Sequence, residues 1–159
     1  MNESLRYLAI VLLILLSAFF SATEIAFASV NSARLKAMRQ KKDTLALSLA
    51  AKIVDDYENM LGAVLIGNNL VNIAASSIAT LIVMDYLGAG YAWVATLVMT
   101  LLVLTFGEII PKVLAKQFAE SFSVAVAIPI YVLSVILRPI TIIMMAFINL
   151  VSKLWQSSV

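Results

Sequence analysis

Cysteine and histidine are both absent from this chain. Their absence removes disulfides, soft-metal sites and most general acid–base chemistry. Charge is scarce as well. Asp, Glu, Lys and Arg make up 13% of the 159 residues and nearly cancel, at a formal +2. That balance gives no ground for a nucleic-acid partner, although the pI is near 9.0. Strand-like alternation is missing too, which argues against a β-barrel. Hydrophobic residues dominate at 63% of the sequence, gathered in runs long enough to cross a lipid bilayer. The expected class is an all-α polytopic membrane protein.

The spans can be placed in order. The first is expected over about residues 5–28: residues 7–23 carry no charge, and apolar character resumes after Glu24 as far as Ala28. A secretory signal peptide competes here, because Arg6 precedes the run and Ala26-Phe27-Ala28 resembles a cleavage site. Glu24 and the two serines of this segment fit that alternative badly. Residues 29–59 are polar and hold Arg34, Lys36, Arg39, Lys41, Lys42 and Lys52. Asn31 can cap a helix to about Gln40. A second helix follows Asp43, with Leu45, Leu49 and Ile53 expected on one face. Together they predict a helical hairpin joining two spans. Residues 60–84 are uncharged and form the second span, 85–91 a turn, and about 92–110 the third. Basic residues crowd 29–59 and are missing from 85–91, which orients the chain. The N-terminus is expected outside, 29–59 in the cytoplasm, and Lys112 and Lys116 inside. The predicted location is the inner or plasma membrane, crossed several times.

Residues 116–155 are harder to place. Pro129 interrupts the apolar run from Ser121, and Arg138-Pro139 ends it. The piece beyond, Ile140 to Val151, would rise only about 18 Å as a helix. A juxtamembrane or re-entrant segment on the cytoplasmic side is preferred to a fourth span, which would leave Lys153 outside. The whole chain is expected to be a single transmembrane domain.

Polar residues inside the spans carry the functional signal. Ser17 and Ser21 lie four residues apart, on one face of the first span. Packing, with the hydroxyls bonded back to their own helix, would explain serines by themselves. In the second span, Gly67-Asn68-Asn69-Leu-Val-Asn72 places Asn68 and Asn72 on one face and Asn69 elsewhere. Three asparagines in one span are costly without partners. The third span ends Thr105-Phe-Gly-Glu-Ile-Ile-Pro-Lys112. Pro111 has no N–H and, in an α-helix, would free the carbonyl of Gly107, beside Glu108. A bland alternative makes Pro111 a helix end and leaves Glu108 among the headgroups. Taken together, Ser17, Ser21, Asn68, Asn72, Gly107 and Glu108 offer six oxygens with a single formal negative charge. Such a set suits a hard cation, Mg²⁺ or Na⁺. Mg²⁺ usually retains water, which leaves room for water between some of these oxygens and the ion. One alternative is a Na⁺-selective carrier or channel built from the same groups; another, from a different class, is a non-transporting membrane anchor or assembly domain whose polar residues serve helix packing alone.

Three stretches then resemble a known family. Leu16-Ser-Ala-Phe-Phe-Ser-Ala-Thr-Glu-Ile-Ala, Gly67-Asn-Asn-Leu-Val-Asn and Phe106-Gly-Glu-Ile-Ile-Pro-Lys are similar, in order and spacing, to the membrane domain of the CorC/CNNM family. The resemblance covers nearly the whole chain. It implies a homodimer in the lipid bilayer, with three transmembrane helices per protomer and a belt-like juxtamembrane helix. It implies Mg²⁺ as transported ion, exported with coupling to Na⁺ influx, and a site at Ser17, Ser21, Asn68, Asn72 and the Gly107-Glu108 pair. It also implies cytoplasmic CBS domains in the full-length protein, regulated by ATP, and this chain is expected to be the membrane part without them. No enzymatic activity is expected.

Overall fold

The computed structural model describes residues 2–156, and every long element in it is a helix. These are α1 (Glu3–Ser29), α2 (Ser32–Lys41), α3 (Leu45–Asp55), α4 (Tyr57–Leu87), α5 (Ala92–Leu102), a π-helical segment (Val103–Ile109), α6 (Ile110–Gln117) and α7 (Ala119–Gln156). No strand occurs among the described residues. Four helical stretches are long and apolar enough to cross a membrane: Glu3–Ser29, Tyr57–Leu87, Ala89–Gln117 and Ala119–Lys153. The chain is thus an all-α membrane protein. Length and composition give four such stretches, where three spans were expected.

The chain divides into two compact units. One comprises residues 1–30 and 65–123. In it α1 packs along the π segment and α6. Ala75 and Ala79 of α4 bury against Ala95 and Met99 of α5, with Ile10, Leu13 and Ile14 of α1 around them. Alanine on facing helices lets the backbones approach closely, which matters in lipid because dispersion and packing replace the hydrophobic drive. An ion pair between Arg6 and Asp85 joins the start of α1 to the end of α4. Gly88 then takes φ +92°, open to glycine at little cost, and a 3₁₀ turn at Ala89–Tyr91 starts the next helix. Outward faces carry Leu8, Val11, Leu12 and Leu15 on α1 and Leu97, Val98 and Leu101 on α5. Apolar faces of that extent suit lipid contact.

The second unit comprises residues 31–64 and 124–159. Asn31 caps α2, accepting from the N–H groups of Ala33 and Arg34. Thr44 caps α3 by accepting from Leu47 N–H. The inward face of α3 is Leu47, Ala50 and Ile53. This corrects the face drawn through Leu45, which is 66% exposed. The i+3 step to Ala50 is invisible to a pattern that counts only large side chains. In α7 both Pro129 and Pro139 lie inside a continuous helix, which corrects the break expected at Arg138-Pro139. A proline costs one donor, whereas ending a helix in apolar surroundings orphans a full turn of polar groups. Around the second proline, Thr141 donates its hydroxyl to Asn59 Oδ1 and also lies 3.0 Å from the Arg138 carbonyl.

The close alanine packing of α4 on α5 generates a first expectation. Ala75→Leu overfills a fully buried position and should cost about 1–3 kcal/mol. Ile73→Leu, at an exposed position, should leave the melting temperature in detergent nearly unchanged. Equal melting temperatures for the two variants would show that this contact does not organise the unit.

Candidate cation site

Ser17 and Ser21 both face inward, with 0% and 1% of their surface exposed. Their surroundings differ. The Ser17 hydroxyl donates to Asn68 Oδ1 of α4 at 2.9 Å, across helices rather than to its own backbone. Thr23 shows the local alternative, donating to the Phe19 carbonyl at 2.8 Å. Ser21 Oγ is buried with no hydrogen-bond partner among the described residues. On α4, Asn68 is buried and Asn69 exposed. Asn72 Oδ1 is buried and unpartnered. Two buried polar oxygens without donors are costly in a low-dielectric interior.

Glycine lets the helices come together here. A Cβ on Gly107 would lie 2.8 Å from Ser17 Oγ and 3.2 Å from Ser17 Cβ. The Gly107 backbone therefore sits directly against the serine. A Cβ on Gly67 would lie 2.8 Å from the Phe20 ring, so the glycine that opens the asparagine motif admits that ring to the α1–α4 contact.

The third stretch departs from the geometry assumed from sequence. Residues Val103–Ile109 are π-helical, and the Ile110 N–H reaches the Thr105 carbonyl, five residues back. Continuing that register, the donor for the Phe106 carbonyl would be residue 111. In the α register that resumes at α6, residue 111 would instead serve Gly107. Residue 111 is proline and serves neither. The α-helical inference that Pro111 frees Gly107 alone is corrected: the missing donor falls at a change of register, and two adjacent carbonyls depend on it. π-Bulges of this kind are often found at functional sites.

Glu108 is half-buried and lines a cavity of about 220 Å³ together with Asn72, Ser76, Thr100, Met99 and Val103. The structure therefore forms two groups. Ser17 touches both Asn68 and Gly107, and Asn72 and Glu108 share a cavity wall. One helical turn links Asn68 to Asn72, and Gly107 is bonded to Glu108. Ser21 is buried one turn beyond Ser17, and its hydroxyl bonds to neither group. Among the described residues no three acidic groups gather as a metal cluster. A cation taken here would meet neutral oxygens and one carboxylate.

Two features escaped sequence reasoning. Thr100 joins Ser76 on the cavity wall, although threonine in a span, free to bond back to its own helix as Thr100 does to the Thr96 carbonyl, gives no signal. Lys112 Nζ pairs with Glu24 Oε2 at 3.0 Å, tying α6 to α1. Both residues lie within the motif stretches, but their separation along the chain hid the pairing.

Several helices long and apolar enough to cross a membrane, carrying buried polar oxygens, define a polytopic α-helical membrane domain. The sequence profile of the cyclin M transmembrane N-terminal domain matches residues 8–157, and the chain belongs to that family. It is similar to the UPF0053 inner membrane protein YfjD of Escherichia coli, 33% identical over 139 residues, covering 87% of this chain and 31% of that protein. A UPF0053 protein of Haemophilus influenzae is 37% identical over 120 residues, 76% of this chain and 28% of the relative. A chloroplastic DUF21 domain-containing protein of Arabidopsis thaliana is 31% identical over 133 residues, 84% and 20% of the two chains. The chain thus spans less than a third of the length of each of these relatives. Family membership suggests membrane transport.

The register change generates a test. Pro111→Ala restores an N–H that either the Phe106 or the Gly107 carbonyl can accept. The expected result is an equal or higher melting temperature without ion, because a helix hydrogen bond is gained in lipid, together with weaker Mg²⁺ binding on the same preparation. Unchanged Mg²⁺ affinity would show that these carbonyls take no part in binding an ion.

Proposed function

We propose that this domain carries Mg²⁺ across the membrane, in the export direction and coupled to Na⁺ influx, using Ser17, Ser21, Asn68, Asn72, Gly107 and Glu108. The observation that carries the reading is that two buried oxygens, Ser21 Oγ and Asn72 Oδ1, have no hydrogen-bond partner among the described residues, and that Asn72 lines the same cavity as Glu108. A domain whose polar groups served packing alone would pair those atoms. A hard cation supplies what both lack, and oxygen ligands with one carboxylate suit Mg²⁺. Na⁺ would accept the same ligands, as the coupled ion or as the principal one.

The Ser17–Asn68 hydrogen bond has a role in this scheme. While the hydroxyl donates to Asn68 Oδ1, each group satisfies the other. On meeting a cation, Ser17 turns its proton away and both oxygens present lone pairs. Part of the cost of dehydrating Mg²⁺ is then offset by ligands already held in place by Gly107 and the α1–α4 contact. The Glu108 side chain is only half-buried and lines its cavity, so it can reach an ion that enters there.

In the membrane, the reading has α1, α4 and the Ala89–Gln117 stretch as three spans, with the N-terminus outside and residues 29–59 cytoplasmic. Six basic residues in 29–59 against none in 85–91 support that orientation. The α7 helix then serves as a juxtamembrane belt, and two protomers associate through the spans formed by α4 and α5 and through the belt. Nucleotide regulation through CBS domains, implied by the resemblance, is assigned to no residue of this chain.

Glu108→Ala removes the one carboxylate of the proposed set. A unit charge pair at 4 Å is worth about 4 kcal/mol at an effective dielectric near 20. Isothermal titration of the purified variant should therefore show Mg²⁺ affinity lowered by more than about a hundredfold, with helicity retained. Affinity close to that of the parent would overturn the assignment. Separately, Asn68→Ala and Asn72→Ala should each weaken Mg²⁺ binding more than Asn69→Ala, since Asn69 is exposed. A greater loss from Asn69→Ala than from the other two would exclude the proposed facing of α4.

A further inference from the structure

The second unit contains a cavity of about 270 Å³ between α3, the first turn of α4 and α7. Its polar wall is Lys52, Asp56, Asn59, Tyr131, Ser134 and Arg138. Lys52 Nζ sits 5.9 Å from the centroid of the Tyr131 ring, an arrangement that holds an ammonium in place. The Arg138 guanidinium has no ion-pair partner among the described residues. Asp56 accepts from Asn59 Nδ2 at 3.4 Å. Thr141 binds both Asn59 Oδ1 and the Arg138 carbonyl, which fixes the Arg138 turn of α7 against the start of α4. The cavity therefore presents two cations and one carboxylate, with the carboxylate already engaged.

Its position along the chain is informative. Met60, on the same wall, begins the uncharged stretch 60–84, and Arg138 ends the uncharged stretch 121–137. Both helices thus meet at a boundary between apolar and charged sequence, where membrane proteins carry their headgroup contacts. Beside the cavity, α7 exposes Val132, Val135, Ile136 and Ile140, an apolar strip at helical spacing. A soluble anion would gain nothing from that strip, whereas an acyl chain would lie along it.

We propose that this cavity binds the phosphate of an anionic phospholipid, with Arg138 and Lys52 as its charged contacts and the α7 strip alongside its acyl chains. Arginine offers a planar fork of donors to phosphate oxygens and lysine a point charge. Basic pockets beside membrane helices recognise lipid headgroups in this way. The inference stands apart from the cation site and does not depend on it.

The full chain in detergent is titrated with dioleoylphosphatidylglycerol or dioleoylphosphatidylcholine, and bound lipid is counted by native mass spectrometry alongside the melting temperature. Phosphatidylglycerol should bind and raise the melting temperature well beyond phosphatidylcholine. Arg138→Gln and Lys52→Gln should each lower phosphatidylglycerol affinity roughly fivefold, and together roughly twenty-five-fold. Lys116→Gln, on α6 and outside the cavity, should leave it unchanged, and Arg138→Lys should retain most of the binding should the glutamine variant fail to fold. Equal binding of the two lipids would overturn the proposal, as would a double variant with parental affinity. Inorganic phosphate alone reproducing the stabilisation at similar concentration would also overturn it, in favour of a soluble-anion site.

Discussion

The Ser17 hydroxyl meets Asn68 Oδ1 at 2.9 Å while the bare backbone of Gly107 lies against the same serine. Within its unit, the candidate site is arranged around that contact. An interhelical hydrogen bond in lipid is worth roughly 0.6–2 kcal/mol, a modest sum. Its larger effect is geometric. It holds Asn68 facing α1, and the helical repeat then carries Asn72 to the same side and Asn69 away. Any side chain at residue 107 would push Ser17 off Asn68 and open the contact.

The π segment is the second constraint. A wider turn inserts one residue between α5 and α6, so Glu108 and Gly107 stand at angles that an uninterrupted α-helix would not give. Pro111 suits this place because the residue that would close the register has no proton to offer. A proline that would be a defect in a uniform helix thus falls where two registers meet and the change of step already leaves a carbonyl without a donor. The consequence is backbone oxygen beside a carboxylate, which is chemically useful only if something positive visits it.

The second unit follows a different logic. There the polar groups are satisfied by one another: Thr141 with Asn59 and Arg138, Asn59 with Asp56, Ser134 with the Ile130 carbonyl. α7 meanwhile runs through both prolines without ending. In the first unit, by contrast, the Ser21 and Asn72 oxygens find no partner among the described residues.

Sequence alone determined the class, because the cost of taking charge and unpaired backbone into lipid is a local property of each run of residues. It also determined the faces: Ser17 with Ser21, and Asn68 apart from Asn69, follow from the 3.6-residue repeat. The inward face of α3 was misjudged because small Ala50 carries no weight in a hydrophobic pattern yet packs well. What only the tertiary structure decided was the register at Val103–Ile109, the continuity of α7 through Pro139, and which polar oxygen finds a partner. A π turn and an α turn of the same residues differ by one hydrogen-bond step. The choice between them is settled by what presses on the helix from outside, here α1 against Gly107. Satisfaction of a polar group is likewise a relation between segments far apart in the chain, and it exists only once those segments have met.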